Sequence, residues 1–129
     1  MIDLYTGTTP NGRKVSIALE ERGLPYTVHP IDIGKDQQFT PDFLAVSPNN
    51  KIPAIYDQDH KVSVFESGAI LIYRAEKRGQ FLPQAPADRD RVLEWLMWQM
   101  AGFGPMLGKL NHFMNRADEQ MPLAIQRFF

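Results

Sequence analysis

With 129 residues, 43% hydrophobic and 22% charged, the chain has the balance of a soluble globular protein and room for one domain plus part of another. Its 14 basic and 15 acidic residues leave a formal charge of -1 without any block of one sign, which argues against a nucleic-acid or membrane partner held by electrostatics. There is no cysteine. Disulfides, thiolate zinc sites and a protein-borne thiol nucleophile are therefore excluded, and any thiol chemistry must come from a bound small molecule.

The start, Met1 to Leu4, has neither the basic region nor the cleavage site of a signal peptide, and no apolar run reaches the ~18 residues of a membrane span. A cytoplasmic protein is predicted. Residues 2 to 6 alternate apolar and polar, the pattern of a short strand. A turn follows at Gly7 to Gly12, with Asn11 as the expected cap. Val15, Ala18, Leu19 and Arg22 then have helical spacing, and Gly23 is placed to end that helix. Tyr26 to Ile33 reads as a second strand. Pro30 inside it cannot donate to a ladder, so the strand is predicted at a sheet edge.

Thr40-Pro41 looks like a cap followed by proline at the first helical position, opening a short helix with Phe43 and Leu44. After the polar loop Ser47 to Lys51, residues 53 to 57 and 62 to 65 form two strands joined by the tip Gln58 to Lys61. Ser67 is the expected cap of a helix from Gly68 to about Arg78. The order strand, helix, strand, helix, strand, strand, helix combines a parallel βαβ unit with an antiparallel hairpin. A mixed four-stranded sheet covered by helices satisfies it, which is the thioredoxin-like plan.

Residues 81 to 87 read as a linker. Asp88 is expected to cap a long helix with Val92, Trp95, Leu96, Gln99, Met100 and Phe103 on one stripe, weakened by Gly102, Gly104, Pro105 and Gly108. Another helix is predicted from Met121-Pro122 to the end. His29, His60 and His112 lie far apart and read as structural or solvent-facing, so no metal site is expected.

Three segments carry possible chemistry. Asn49 to Ile55 places Pro53 where a polar loop enters a strand. A cis Ile52–Pro53 bond would turn the Ile52 backbone outward as an edge for an extended peptide; a trans proline that merely begins a strand is the plain alternative. Phe65 to Ile70 sets Glu66 and Ser67 where a strand enters a helix. A helix N-terminus suits a carboxylate and Glu66 suits an ammonium, so together they fit the two charged ends of an α-amino acid. Alternatively, Ser67 only caps the helix. Thr8 to Gly12 gathers hydroxyls and an amide near the strand ends, a common ligand position in α/β folds, or is an ordinary capped turn.

Taken together, the blocks Ser47 to Ala54 and Phe65 to Ile70, with Tyr73, Ala75-Glu76-Lys77 and Gly79, resemble the glutathione site of the cytosolic glutathione transferases. Thr9 to Lys14, Trp95 to Gln99 and Gly104 to Gly108 resemble the bacterial Nu class, which includes disulfide-bond reductases. The resemblance implies a thioredoxin-like domain over residues 1 to 80, with strand order 2-1-3-4 and three helices. It also implies a linker over 81 to 87 and an all-helical second domain over 88 to 129 that stops within its second helix. It places the γ-glutamyl end of glutathione on Glu66 and Ser67 with Gln38 nearby, and the cysteinyl backbone on Ile52 before cis-Pro53. Lys51 would face the glycyl carboxylate, Thr9 and Asn11 the sulfur, and Arg127 would reach toward glutathione from the last helix. A homodimer is implied, with glutathione as bound co-substrate and a disulfide or small electrophile as its partner.

The implied activity is disulfide reduction or conjugation by a glutathione thiolate that Thr9 and Asn11 stabilise. The alternatives are a non-catalytic glutathione-binding or assembly module, or a small thioredoxin-like protein without a second domain. The apolar stripe of residues 92 to 103 argues against the last, because it needs a surface to cover it. Arg74 departs from the family, which leads one to expect an aliphatic residue there; a long side chain reaching to solvent is the simple expectation.

Overall fold

The computed structural model describes residues 1–129 and divides into two compact units, Met1–Phe81 and Leu82–Phe129. The first contains β1 (Ile2–Thr6), α1 (Pro10–Glu21), β2 (Tyr26–Pro30), α2 (Pro41–Val46), β3 (Ala54–Asp57), β4 (Val62–Phe65) and α3 (Ser67–Arg78). The second contains α4 (Pro86–Trp98), α5 (Gly104–Asn115) and α6 (Pro122–Phe128). No helix is long and apolar enough to cross a membrane.

The sheet has the order β2-β1-β3-β4. β1 and β2 run parallel from Ile2 opposite Tyr26 to Thr6 opposite Pro30, while β3 is antiparallel to both β1 and β4. This is the predicted thioredoxin-like arrangement, with the proline-bearing strand at an edge. Alternation along β1 sends Ile2 and Leu4 to one face, where they meet Val15 and Leu19 of α1, Ile55 of β3 and Ile70 of α3. Tyr5 points to the other face, where its ring lies 6.3 Å from that of Phe43 on α2.

Several boundaries differ from the predicted ones. β2 stops at Pro30 rather than Ile33; Ile31 gives one last bond to the Thr6 carbonyl, 2.8 Å, before Asp32 caps a tight turn through the Gly34 N–H. Thr9, not Asn11, caps α1, and Ala85, not Asp88, occupies the cap position of α4. Ser67 is the first residue of α3 rather than its cap. The long helix is two helices, α4 and α5, joined by a π-helical turn at Gln99–Phe103. Pro105 in the first turn of α5 has no N–H and a ring that collides with the preceding turn, so a regular ladder cannot run through it.

In the second unit, none of α4, α5 or α6 has a fully buried residue. Its rings contact one another: Trp95 meets Trp98 edge-on at 5.5 Å, and Trp98 stacks on Phe103 at 5.0 Å. All three remain exposed.

The most consequential polar contact in the first unit is Asp57, at the end of β3 and 0% exposed. Its Oδ2 accepts from Tyr73 Oη (2.7 Å), Lys77 Nζ (2.5 Å) and Arg74 Nη1 (3.3 Å), all on α3. Its Oδ1 accepts from the Asp59 N–H at 3.1 Å. Arg74 is 3% exposed, so the expectation that it reaches solvent is wrong. Position 74 faces the sheet, and an arginine fits there because Asp57 neutralises it. Burial alone would raise the Asp57 carboxyl, but the bonds from Lys77, Tyr73 and the Asp59 N–H outweigh it and hold the group well below the usual carboxylate range. Burial and the same carboxylate push the Tyr73 hydroxyl up to about 12.

Removing one partner of a buried ion pair strands the others, so Asp57→Ala should destabilise the fold by about 3–5 kcal/mol in urea unfolding. A related outcome concerns pH. Asp57 takes up a proton in the unfolded chain near pH ~4 but stays ionised when folded. Its contribution is therefore full above pH ~4 and should be lost as pH falls further. Measured stability should drop over that range, and Asp57→Asn should flatten the drop.

Candidate functional site

The loop before β3 is held from inside. Ser47 is 0% exposed, and its hydroxyl donates to the Lys51 carbonyl at 2.8 Å. Asn50 adopts the left-handed conformation that asparagine tolerates, φ 49°, and donates its N–H to the Ser47 carbonyl. The Ile52–Pro53 peptide is cis. Pairing between β1 and β3 begins at Ala54, opposite Tyr5, so Ile52 lies outside the ladder.

Beside it is the corner where β4 runs into α3. Glu66 occupies the cap position with φ 70° and ψ 119°, a left-handed conformation that costs a residue with a Cβ about 1–3 kcal/mol. Its carbonyl accepts the first helical bond, from the Ile70 N–H at 2.9 Å, but its carboxylate does not cap its own helix. Ser67 is 2% exposed at the start of the helix, whose first N–H groups have no helical partners. A strained backbone that frees a carboxylate beside such donors marks a site suited to a zwitterionic group.

Asn11, Lys51, Ile52, Pro53, Phe65, Glu66 and Ser67 line one shallow cleft. Six of the predicted site residues are thus brought together. Thr9, Gln38 and Arg127 are not among the lining groups. The Thr9 hydroxyl accepts from the Gly12 N–H at 3.2 Å, which leaves its own proton to donate elsewhere. The Gln38 Oε1 is buried with no hydrogen-bond partner. Arg127 lies in α6 of the second unit. No group of three or more His, Asp or Glu side chains is arranged to hold a metal. His29 instead pairs with Asp3 at 2.9 Å, and His60 lies 3.2 Å from the Tyr73 hydroxyl.

A family model for the N-terminal domain of glutathione S-transferase matches residues 8–77, more than half of the chain. The chain belongs to that family. As a glutathione S-transferase domain it is 50% identical to disulfide-bond oxidoreductase YfcG of Escherichia coli over 99% of its length and 62% of that protein. It is 45% identical to disulfide-bond oxidoreductase YghU of the same organism, over 98% of the chain and 47% of YghU. A crystal structure of a glutathione transferase family member from Pseudomonas fluorescens, with two glutathione bound, is 48% identical with TM-score 0.92, over 98% of this chain and 59% of that one. Ure2p in complex with glutathione also superposes with TM-score 0.92, at 30% identity over 98% of this chain and 61% of that one. The chain therefore spans less than two thirds of the length of each of these proteins.

Three supports of the cleft were named in the sequence only as parts of longer blocks, without their roles: the Ser47 pin, Phe65 as a wall of the cleft, and Gly12 as a point of close approach. A Cβ at Gly12 would fall on Thr6 Oγ1 and the Gly7 carbonyl. The sequence offers only a weak sign of this, a glycine within the first turn of a helix. Gly12→Ala should cost about 1–3 kcal/mol through that overlap. A thermal midpoint within error of the unaltered chain would show that the turn can relax.

Proposed function

We propose that this chain binds glutathione and uses its sulfur as the nucleophile of a disulfide-bond oxidoreductase, with conjugation of small electrophiles as the related activity. The observation that carries this is the convergence of Glu66, Ser67 and the Ile52-Pro53 segment on one cleft with Asn11 on its wall. The names of YfcG and YghU and the glutathione in related crystal structures support the same reading. The γ-glutamyl ammonium would meet Glu66, its carboxylate Ser67 and the start of α3, and the Gln38 Oε1 would find a donor in the same end of the ligand. The cysteinyl backbone would pair with Ile52, and the glycyl carboxylate with Lys51. Thr9 and Asn11 would donate to the sulfur.

A free thiol of pKa ~8.5 is only about 3% ionised at pH 7, and lowering it to ~6.5 requires about 2.7 kcal/mol of preferential stabilisation of the anion. Hydrogen bonds from Thr9 and Asn11 to the thiolate supply that order of energy. Asparagine cannot act as a base at neutral pH, so its role is electrostatic. In disulfide reduction the thiolate attacks one sulfur of the substrate, the S–S bond breaks, and one substrate thiolate leaves. A second glutathione attacks the mixed disulfide, releasing the other substrate thiolate and forming glutathione disulfide. The two glutathione protons end on the two substrate thiols. This route needs no protein cysteine, in keeping with a chain that has none, and a reducing cytoplasm would supply the glutathione.

Asn11→Ala should lower disulfide turnover by about tenfold or more while glutathione affinity, read by calorimetry, changes little. Unchanged turnover would remove Asn11 from the mechanism. Glutathione binding without turnover of any disulfide or model electrophile would instead favour a binding or assembly module. The homodimer implied by resemblance is checked by sedimentation, where the mass of a single chain at every concentration would contradict it.

A further inference from the structure

A second hollow lies at the start of α1, on the side of the helix away from the core. Gly12, Val15 and Leu19 are the buried residues of this helix. Pro10, Arg13, Lys14 and Ile17 recur at the three- and four-residue spacing of the opposite face. With Thr8 they line an open groove of about 420 Å³, large enough for a small organic ligand. Its lining combines two cations with the apolar surface of Pro10, Ile17 and the arginine and lysine stems, and includes no carboxylate. Arg13 is exposed, its guanidinium has no hydrogen-bond or ion-pair partner, and Ile17 is 59% exposed. This groove shares no lining residue with the cleft that contains Glu66, yet the two meet in the chain. Thr9 stands between Thr8 and Pro10, and the next residue, Asn11, lines the cleft.

We infer that the groove selects the second substrate, and that the class it prefers is a small disulfide carrying a carboxylate. This rests on the glutathione-binding reading above, which puts the reacting sulfur at Thr9 and Asn11. A disulfide attacked there has its sulfur at the start of α1 and its substituent along the Pro10–Ile17 stripe. Arg13 lies about 4.5 Å further along the helix axis than Pro10, a reach that suits an acid group two or three carbons from the sulfur. The guanidinium offers that carboxylate a fork of donors, Lys14 adds positive charge, and Pro10 and Ile17 cover the carbons. The exchange step is the one already described: the glutathione thiolate attacks one sulfur, the S–S bond breaks, and the other half leaves as a thiolate.

The test uses the full chain and three disulfides of like size: anionic dithiodipropionate, neutral bis(hydroxyethyl) disulfide and cationic cystamine. Each kcat/KM is divided by the uncatalysed rate of the same disulfide with glutathione. The anion should rank first and the cation last. Arg13→Gln should lower the value for the anion about fivefold, as added salt should, with the neutral disulfide and glutathione affinity unchanged. Arg13→Lys should restore part of the loss. An equal fall for all three disulfides would mean a merely structural role, and no fall would mean no role; both overturn the inference. A second measurement needs neither glutathione nor turnover: in nuclear magnetic resonance, dithiodipropionate should shift the backbone amides of Arg13 and Ile17, and cystamine should not. Unmoved amides overturn the groove as a binding site. If the unaltered chain binds no glutathione, the glutathione reading fails by itself, and the amide shifts still accept or reject the groove.

Discussion

Everything at the site depends on where α3 lies against β3, and one buried carboxylate sets that position. Asp57 ends β3 and receives Tyr73, Arg74 and Lys77 from the second half of α3. Four residues back along the strand, Pro53 shares a cleft with Glu66 and Ser67 at the beginning of the same helix. Strand and helix are thus joined at both ends, by charge at one and by the cleft at the other. With Asp57 lost, α3 would keep its apolar anchor at Ile70 but not its alignment along the strand. A binding site assembled across two elements needs that alignment, since misplacement of about 1 Å is enough to spoil recognition or catalysis.

The cleft divides its work between rigid and strained parts. Ser47 fixes the loop that presents Ile52, and Gly12 allows the Thr9 cap to sit tightly against the end of β1. Glu66, in contrast, is held in a conformation glutamate does not favour. The surrounding sheet and helix absorb that cost, and the carboxylate makes no cap bond to its own helix while Glu66 lines the cleft. On the proposed reading, capture of the ligand's charged end and polarisation of its sulfur would reside in different elements, the β4–α3 corner and the start of α1. Substitutions can separate the two.

Most of the sheet was legible because its signals are local. Alternation at Ile2 to Thr6, the hairpin around Gln58 to Lys61, and Pro30 as an edge marker each depend on a few adjacent residues. The cap errors had a readable cause. Pro10 and Pro86 stand at the first helical position, which places the caps immediately before them, at Thr9 and Ala85, rather than at Asn11 or Asp88. The buried network was not legible. Asp57 at the end of a strand looks like an ordinary turn residue, and Arg74 looks like a surface residue. Only the fold brings Tyr73 and Lys77, one turn apart, and Arg74 between them over the same carboxylate. The left-handed Glu66 was hidden for a related reason: it is imposed by the tight passage from β4 into α3, while the residue itself gives no hint of it. The break in the second unit's helix was signalled by Pro105, but its form as a π-helical turn was not.

The most direct test is a crystal structure of this chain soaked with glutathione. Density should show the γ-glutamyl group on Glu66 and Ser67, the cysteinyl backbone paired with Ile52, and the sulfur within hydrogen-bond distance of Thr9 or Asn11. Glutathione bound elsewhere, or seated in the cleft with its sulfur directed away from the start of α1, would contradict the account.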